Sequence, residues 1–267
     1  MTRNALFAGQ FYSADPKQLR RDIVGMLPEK PQAKIVARGI ILPHAGYTYS
    51  GKVAATTVNK VFLRKNIILL GNNHTGAGND FALWDKGEWE TPLGSLKINE
   101  ELCADILANG TAITADNDAH LKEHSIEVEL PILQQSGGGF SIIPIACKPA
   151  MAPKYEEAAW QIYTAIKNRL DVFFVASTDM THYEHDAKAR KKDSLAIERI
   201  VALDPEGFLN VVKKERISMC GAAPVAIFLH CMKLLGARKA SIALYQTSGE
   251  TGGDYNSVVG YAGIIVQ

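Results

Sequence analysis

Three short apolar runs punctuate the chain, and each is followed by a turn of small and polar residues that carries a histidine. Gly39-Ile40-Ile41-Leu42 leads into Pro43-His44-Ala45-Gly46-Tyr47, and Ile67-Ile68-Leu69-Leu70 into Gly71-Asn72-Asn73-His74-Thr75-Gly76. Val172-Phe173-Phe174-Val175 leads into Ala176-Ser177-Thr178-Asp179-Met180-Thr181-His182. Unbroken runs rich in Val, Ile and Phe, closed by Gly or Asn, predict strands buried on both faces of a parallel sheet. Ligands of such sheets bind beyond the carboxyl ends of the strands, so three imidazoles far apart in sequence are candidates for one site.

Helical and strand patterns alternate over the rest of the chain. A helix is predicted from Pro16 through Leu19 and Ile23 to Met26, with Ser13 or Asp15 as its cap and Pro28 and Pro31 behind it. A strand over 35–42 precedes a helix starting at Ser50-Gly51 and running through Val53, Thr57 and Val61. After the second strand, 66–70, a strand over 81–84 and a hairpin over 87–91 and 95–98 follow. Asn99 caps a helix over about 100–107, and Ser125 looks like a further helix start. The triplet Gly137-Gly138-Gly139 marks a turn before a strand over 141–146, without the spacing of a phosphate loop. A helix over 155–167, the strand over 171–176, helices over about 186–203 and 206–212, a helix opening near Ala223-Pro224 and strands over 239–245 and 258–266 complete the chain. With no linker and no internal repeat, the expected architecture is α/β: one domain, 1–267, built on a mostly parallel mixed sheet flanked by helices.

Composition narrows the partners. Hydrophobic residues make up 47% and charged residues 21%, the balance of a folded globular protein. A formal net charge of +1 argues against nucleic acid or an anionic membrane as a charge-driven partner. The amino-terminal residues lead into no signal-like apolar region, and no apolar stretch approaches the roughly 20 residues of a spanning helix, so a cytoplasmic protein is expected. Cys103, Cys147, Cys220 and Cys231 lie far apart and form no CxxC pair, which favours free thiols in such a compartment. Cys103, Cys147 and Cys231 sit in apolar segments and read as small buried hydrophobes.

Candidate chemistry gathers at the strand ends. A lone His44 is more often a buried histidine satisfied by a carbonyl, and a lone His74 a solvated loop residue; two imidazoles at equivalent strand ends favour a shared site. Asp179 and His182 stand three apart, so a helical turn there would let the carboxylate orient the ring, leaving His182 as metal ligand or general base. Cys220 precedes a predicted helix, where a dipole and a nearby metal both favour the thiolate; the competing reading is a buried cysteine in a tight turn. Beside the histidines a ligand role is preferred for Cys220, and imidazole with thiolate suits Fe(II), Cu or Zn rather than Mg or Ca. Glu123 reads as dipole-compatible capping, and His124 is open between a supporting and a substrate-facing role. Asp254, in a glycine-rich loop, and the pair His185 and Asp186 read as structural.

These motifs together resemble the Memo family, whose prokaryotic members are also called AmmeMemoRadiSam system protein B. Ala8-Gly9-Gln10-Phe11-Tyr12, Pro43-His44-Ala45-Gly46-Tyr47, Gly71-Asn72-Asn73-His74, Glu123-His124-Ser125-Ile126-Glu127, Ser177 through Tyr183 and Cys220-Gly221 carry the resemblance, in family order and over essentially the whole chain. One departure is Ser13, where many members have proline, and it touches only a surface turn. The family is similar in fold to class III (LigB-type) extradiol dioxygenases, which hold Fe(II) with two histidines and a glutamate and use another histidine as acid and base. The resemblance implies His44 and His74 as the paired ligands, Cys220 in the glutamate's place, His182 as acid/base or further ligand, and His124 as a histidine that supports the ligands or faces the substrate. A thiolate in that place alters metal preference, so ring cleavage does not carry over with the fold.

Three functions follow as expectations. The first is an oxidoreductase holding Fe(II), with Cu next and Zn behind, that acts on a small enediol or catechol-like substrate with dioxygen. In it His182 takes the substrate's hydroxyl proton with help from Asp179. The second is a non-enzymatic adaptor that keeps the pocket and binds metal or a short phosphorylated peptide, as the resemblance to eukaryotic relatives suggests. The third is a hydrolase with Cys220 as nucleophile and His182 as base, ranked last because it leaves His44 and His74 without a task.

Overall fold

Strand β1 (Thr2–Arg3) and helix α1 (Pro16–Met26) precede the first buried strand, β2 (Gly39–Leu42), which α2 (Tyr47–Asn59) follows. Next come β3 (Asn66–Asn72), β4 (Phe81–Leu83), the hairpin β5 (Glu88–Thr91) and β6 (Gly94–Lys97), α3 (Glu100–Ala108) and β7 (Thr114–Ala115). Helix α4 (Leu130–Ser136) leads to β8 (Ser141–Cys147), α5 (Ala152–Ile166), β9 (Val172–Ser177) and β10 (His182–Glu184). The chain ends with α6 (Asp186–Val201), α7 (Pro205–Lys214), α8 (Ala222–Leu234), β11 (Ala240–Thr247), α9 (Gly249–Gly252) and β12 (Val258–Val266). This computed structural model describes residues 1–29, 33–137 and 139–267. The proline at 31 and the middle glycine of the 137–139 triplet lie outside the described residues.

The main sheet runs in the order β10-β12-β2-β9-β3-β8-β4-β7, with β11 on the other edge of β12. Its centre, β2-β9-β3-β8, is parallel, while β12 and β4 extend it with antiparallel pairings. Nearly every residue of the four central strands is buried, as their unbroken apolar runs require. Helices cover both faces. Gly39 lies directly opposite Val266 and lies against Phe228 of α8, whereas a Cβ on Gly263 would meet Thr57 and Val53 of α2. Residues 263 and 266 alternate along one strand, so α8 and α2 sit on opposite sides. A smaller sheet, β1-β5-β6, joins the amino terminus to the hairpin. Among the described residues no helix is long and apolar enough to cross a membrane, and all four cysteines are free thiols.

Several boundaries differ from the sequence expectations for local reasons. Asp15 rather than Ser13 caps α1, accepting from Gln18 N at 2.6 Å. Helix α2 starts at Tyr47, three residues early, because its first amide donates to Phe11 O at 2.8 Å in place of a side-chain cap. Ser125 starts no α-helix: its hydroxyl donates to Asn72 O at 2.6 Å, and a 3₁₀ turn, Glu127–Glu129, leads into α4. The 179–181 stretch is not helical either. Met180 N donates to Gly260 O and Gly260 N to Thr181 O, which keeps the backbone extended beside β12.

His120 is a buried imidazole between Trp84 and Trp89 whose Nε2 donates to Ala82 O at 2.8 Å. Burial lowers its pKa from 6.5 to about 4, the Ala82 carbonyl opposing that shift and the Arg3 charge adding to it. Between those values the unfolded chain takes up a proton that the folded chain refuses, so stability falls as pH falls. The loss should reach about 3 kcal/mol at 1.36 kcal/mol per pKa unit. Urea titrations at pH 7 and pH 4.5 should show this slope, and His120→Phe, which removes one titrating group, should make it shallower, with the buried His44 and His124 supplying what remains. Equal slopes in the two proteins would assign the acid sensitivity elsewhere.

Candidate metal centre

The loops after β2, β3 and β9 leave the same edge of the sheet, because Leu42 lies level with Ser177 and Leu70 with Ala176 in the parallel register. His44 and His74 come from the first two loops, and a third ring, His124, comes from the segment before α4. The ring centres of His44 stand 5.2 Å from His74 and 5.3 Å from His124, while His74 and His124 stack at 4.6 Å with planes 16° apart. One nitrogen from each ring lies within 4.8 Å of the others, close enough to share a metal ion. Two glycines let the loops approach. A Cβ on Gly71 would stand against Ile126 and Ser125, and one on Gly221 against Ser177 and Thr178.

The His44 and His74 rings are each hydrogen-bonded to a buried partner. His44 Nδ1 lies 2.8 Å from Ser177 Oγ, and its backbone N–H donates to Asp179 Oδ1 at 2.9 Å. His74 Nδ1 lies 2.9 Å from Glu123 Oε1, whose carboxylate also accepts the backbone N–H groups of His74, His124 and Ser125. His124 Nδ1 stands 3.4 Å from the same oxygen. Burial alone would raise the Glu123 pKa, but the hydrogen bond and charge of His74, the Ser125 amide and His124 bring it down to about 2. Burial lowers His124 to about 4 and holds His44 well below the usual histidine range, with the neighbouring imidazoles adding to the shift on His44. Neutral imidazoles are the form that coordinates a metal. Phe7 and Phe11 pack on the His124 ring at 5.5 and 4.7 Å, forming an apolar wall beside it.

Cys220 and Asp179 lie against His44, and His182 is near enough for its charge to act on His44 and Asp179. Cys220 Sγ is 3.3 Å from His44 Nε2 and accepts the Asp179 N–H at 3.3 Å. Burial and the Asp179 charge push its thiol up. The geometry thus gathers His124 with His44 and His74, whereas Cys220, expected from the sequence as the third ligand, touches the trio through His44 alone. Asp179 is pushed up to about 6 by burial, against the pull of the His44 amide and the His182 and His74 charges. Its carboxylate holds the His44 backbone, not the His182 ring. His182 Nδ1 faces two carbonyls, Met180 O at 2.8 Å and Ser218 O at 2.9 Å. Carbonyls only accept, so Nδ1 carries a proton, and the neutral ring keeps its lone pair on Nε2.

Glu123 is the main participant that sequence reasoning passed over. A Glu-His pair near an expected helix start has the look of capping, and only its contact with His74, 49 residues away, reveals that it orients that ring. Ser177 and Glu129 were also unassigned; one ends β9 and the other sits in a 3₁₀ turn, and they meet at 2.9 Å. No local pattern marks such a meeting.

A family model described as "Memo-like protein" matches residues 3–265 of the chain. A MEMO1 family protein of Methanopyrus kandleri is 40% identical over 100% of this chain and 99% of its own length. Another, from Sulfolobus acidocaldarius, is 38% identical over 99% of both. Among solved structures, an uncharacterized protein of Escherichia coli K12 superposes with a TM-score of 0.56 at 11% identity, over 84% of this chain and 98% of that one, a likeness of fold.

Proposed function

The chain belongs to the Memo family, and from that premise we propose that it is a metal-dependent oxidoreductase acting on a small enediol or catechol-like substrate with dioxygen. The observation that carries this reading is the convergence of His44, His74 and His124 with their donor atoms within 4.8 Å of one another. His44 and His74 form the core of the ligand set, His124 completes the trio, and Cys220 Sγ adds a thiol donor on the His44 side. Imidazole and thiolate together suit Fe(II), Cu or Zn, and the proposed chemistry with dioxygen puts Fe(II) first, Cu next and redox-inactive Zn behind. A bound Fe or Cu would supply Lewis acidity and one-electron chemistry towards dioxygen.

The chain's own residues supply the rest. His182 presents an unprotonated Nε2, which accepts the substrate's hydroxyl proton. Asp179 holds the His44 loop through the backbone amide and carries a carboxyl whose proton is exchangeable near neutrality. Phe7 and Phe11 exclude water from the His124 side and favour a flat, apolar substrate face.

Protein purified without oxygen and loaded with Fe(II) should retain the metal through gel filtration, and His44→Ala and His74→Ala should each lose it. The loaded wild type should consume dioxygen with a catechol or an enediol, and His182→Ala should keep the metal while losing that uptake. With Co(II) as a spectroscopic probe, Cys220→Ser should remove a sulfur-to-metal charge-transfer band. Metal retained without the paired histidines would defeat the proposed centre. Metal bound without dioxygen uptake on any substrate of the panel would instead favour the binding-only role.

A further inference from the structure

We propose that Ser177 is a positioning residue that fixes His44 as the Nδ1–H tautomer, so that Nε2 turns its lone pair towards the centre. Three groups crowd the Ser177 hydroxyl: Ser125 O at 2.7 Å, Glu129 Oε1 at 2.9 Å and His44 Nδ1 at 2.8 Å. A hydroxyl has one hydrogen to give and two lone pairs to share. Ser125 O is a carbonyl and only accepts, and the hydroxyl lies nearest to it, so the hydrogen goes there. The two remaining neighbours must then donate, which requires a proton on His44 Nδ1 and one on the Glu129 carboxyl.

Independent features agree. Glu129 is fully buried, and among the described residues its Oε2 has no hydrogen-bond partner, a setting that an ionised carboxylate does not tolerate. Burial pushes its pKa well above the ordinary range, against the pull of the Ser177 hydrogen bond, and the Asp179 charge adds to the rise. On the opposite side of the ring, the Cys220 thiol stands 3.3 Å from Nε2, where an S–H finds the lone pair that this tautomer leaves. The reverse arrangement, with Ser177 donating to Nδ1, takes the hydrogen from Ser125 O and sets an N–H against the thiol. His44 and His74 are thereby supported differently: a neutral hydroxyl backed by a neutral acid behind one, and the ionised Glu123 behind the other.

The tautomer stands on these hydrogen bonds alone; its consequence for metal affinity rests on the function proposed above. Long-range proton–nitrogen NMR of the full, metal-free chain labelled at histidine reads it directly. Wild type should show His44 with Nδ1 protonated and Nε2 bare, and Ser177→Thr, which keeps the hydroxyl, should match it. Ser177→Ala should shift His44 towards the Nε2–H form and weaken Zn(II) binding by about tenfold or more, as loss of an orienting partner does. An Nε2–H tautomer in wild type overturns the proposal, as does a Ser177→Ala protein that keeps both the wild-type tautomer and Zn(II) affinity. If Ser177→Ala fails to fold, the wild-type spectrum still decides. A wild type that shows Nδ1–H but binds no Zn(II), Fe(II) or Co(II) would sink the metal proposal and leave the tautomer standing.

Discussion

Arg3→Ala should destabilise the fold by about 3–5 kcal/mol, the cost of leaving a buried charge without its partner. The Arg3 guanidinium lies 2.6 Å from Glu127 Oε2, and the two side chains are 1% and 0% exposed. It also donates from Nε to His120 O at 2.9 Å and from Nη2 to Glu123 O at 2.6 Å, and it lies over the Trp89 ring at 4.2 Å. Glu127 in turn accepts from the amides of Leu6 and Phe7 and from the Tyr12 hydroxyl, the last at 2.7 Å. The pair therefore fastens the amino-terminal strap that carries Phe7 and Phe11 onto His124. Lysine should not rescue position 3, because a point charge lacks the planar fork that meets three acceptors at once. Urea unfolding of Arg3→Ala, Glu127→Gln and the double variant tests this. The double variant should be less destabilised than the sum of the singles, since the lone buried charge is gone. A loss below about 1 kcal/mol in Arg3→Ala, the range of an exposed pair, would mean that water reaches the site.

Glu123→Ala should lower metal affinity about 10–100-fold while the fold persists, because it strips the carboxylate that orients the His74 ring and holds the His124 backbone. In the wild type Glu123 Oε1 fixes His74 Nδ1 at 2.9 Å, which leaves His74 Nε2 free for the proposed metal. The same carboxylate ties down the backbone of His74, His124 and Ser125, so its loss frees both loops as well as the His74 ring. Glu123→Gln should fall between wild type and alanine, since an amide oxygen still accepts but carries no charge. Competition with a chelating dye, at a pH where histidines are neutral, gives the affinities. Equal affinity in wild type and Glu123→Ala would show that the imidazoles are held by packing alone.

The parts of the molecule that were legible share a physical cause. Strands β2, β3 and β9 are buried on both faces, so their apolar runs had to be continuous, and the turns after them had to lie at one edge of a parallel sheet. His44 and His74 were readable for that reason. The histidine trio was less so. The segment carrying His124 has no strand before it to advertise its position. It reaches the site because Ser125 bonds to Asn72 O and the Arg3–Glu127 pair clamps the following turn. The expected Asp179–His182 pairing failed for a similar reason, since pairing with β12 stretched out a segment whose spacing suited a helix.

By itself the order of apolar and polar residues determined the alternation of strands and helices, the buried centre of the sheet and the edge at which His44, His74 and His182 emerge. Those follow from burial, which each residue type expresses locally. Tertiary structure alone decided that Glu123 orients His74, that Ser177 gathers His44, Ser125 and Glu129, and that Cys220 rests against His44 rather than among all three rings. A hydrogen bond depends on which distant loops the strand order β2-β9-β3 sets side by side, and on distances of a few tenths of an ångström. Neither quantity is written in the spacing of residues along a chain.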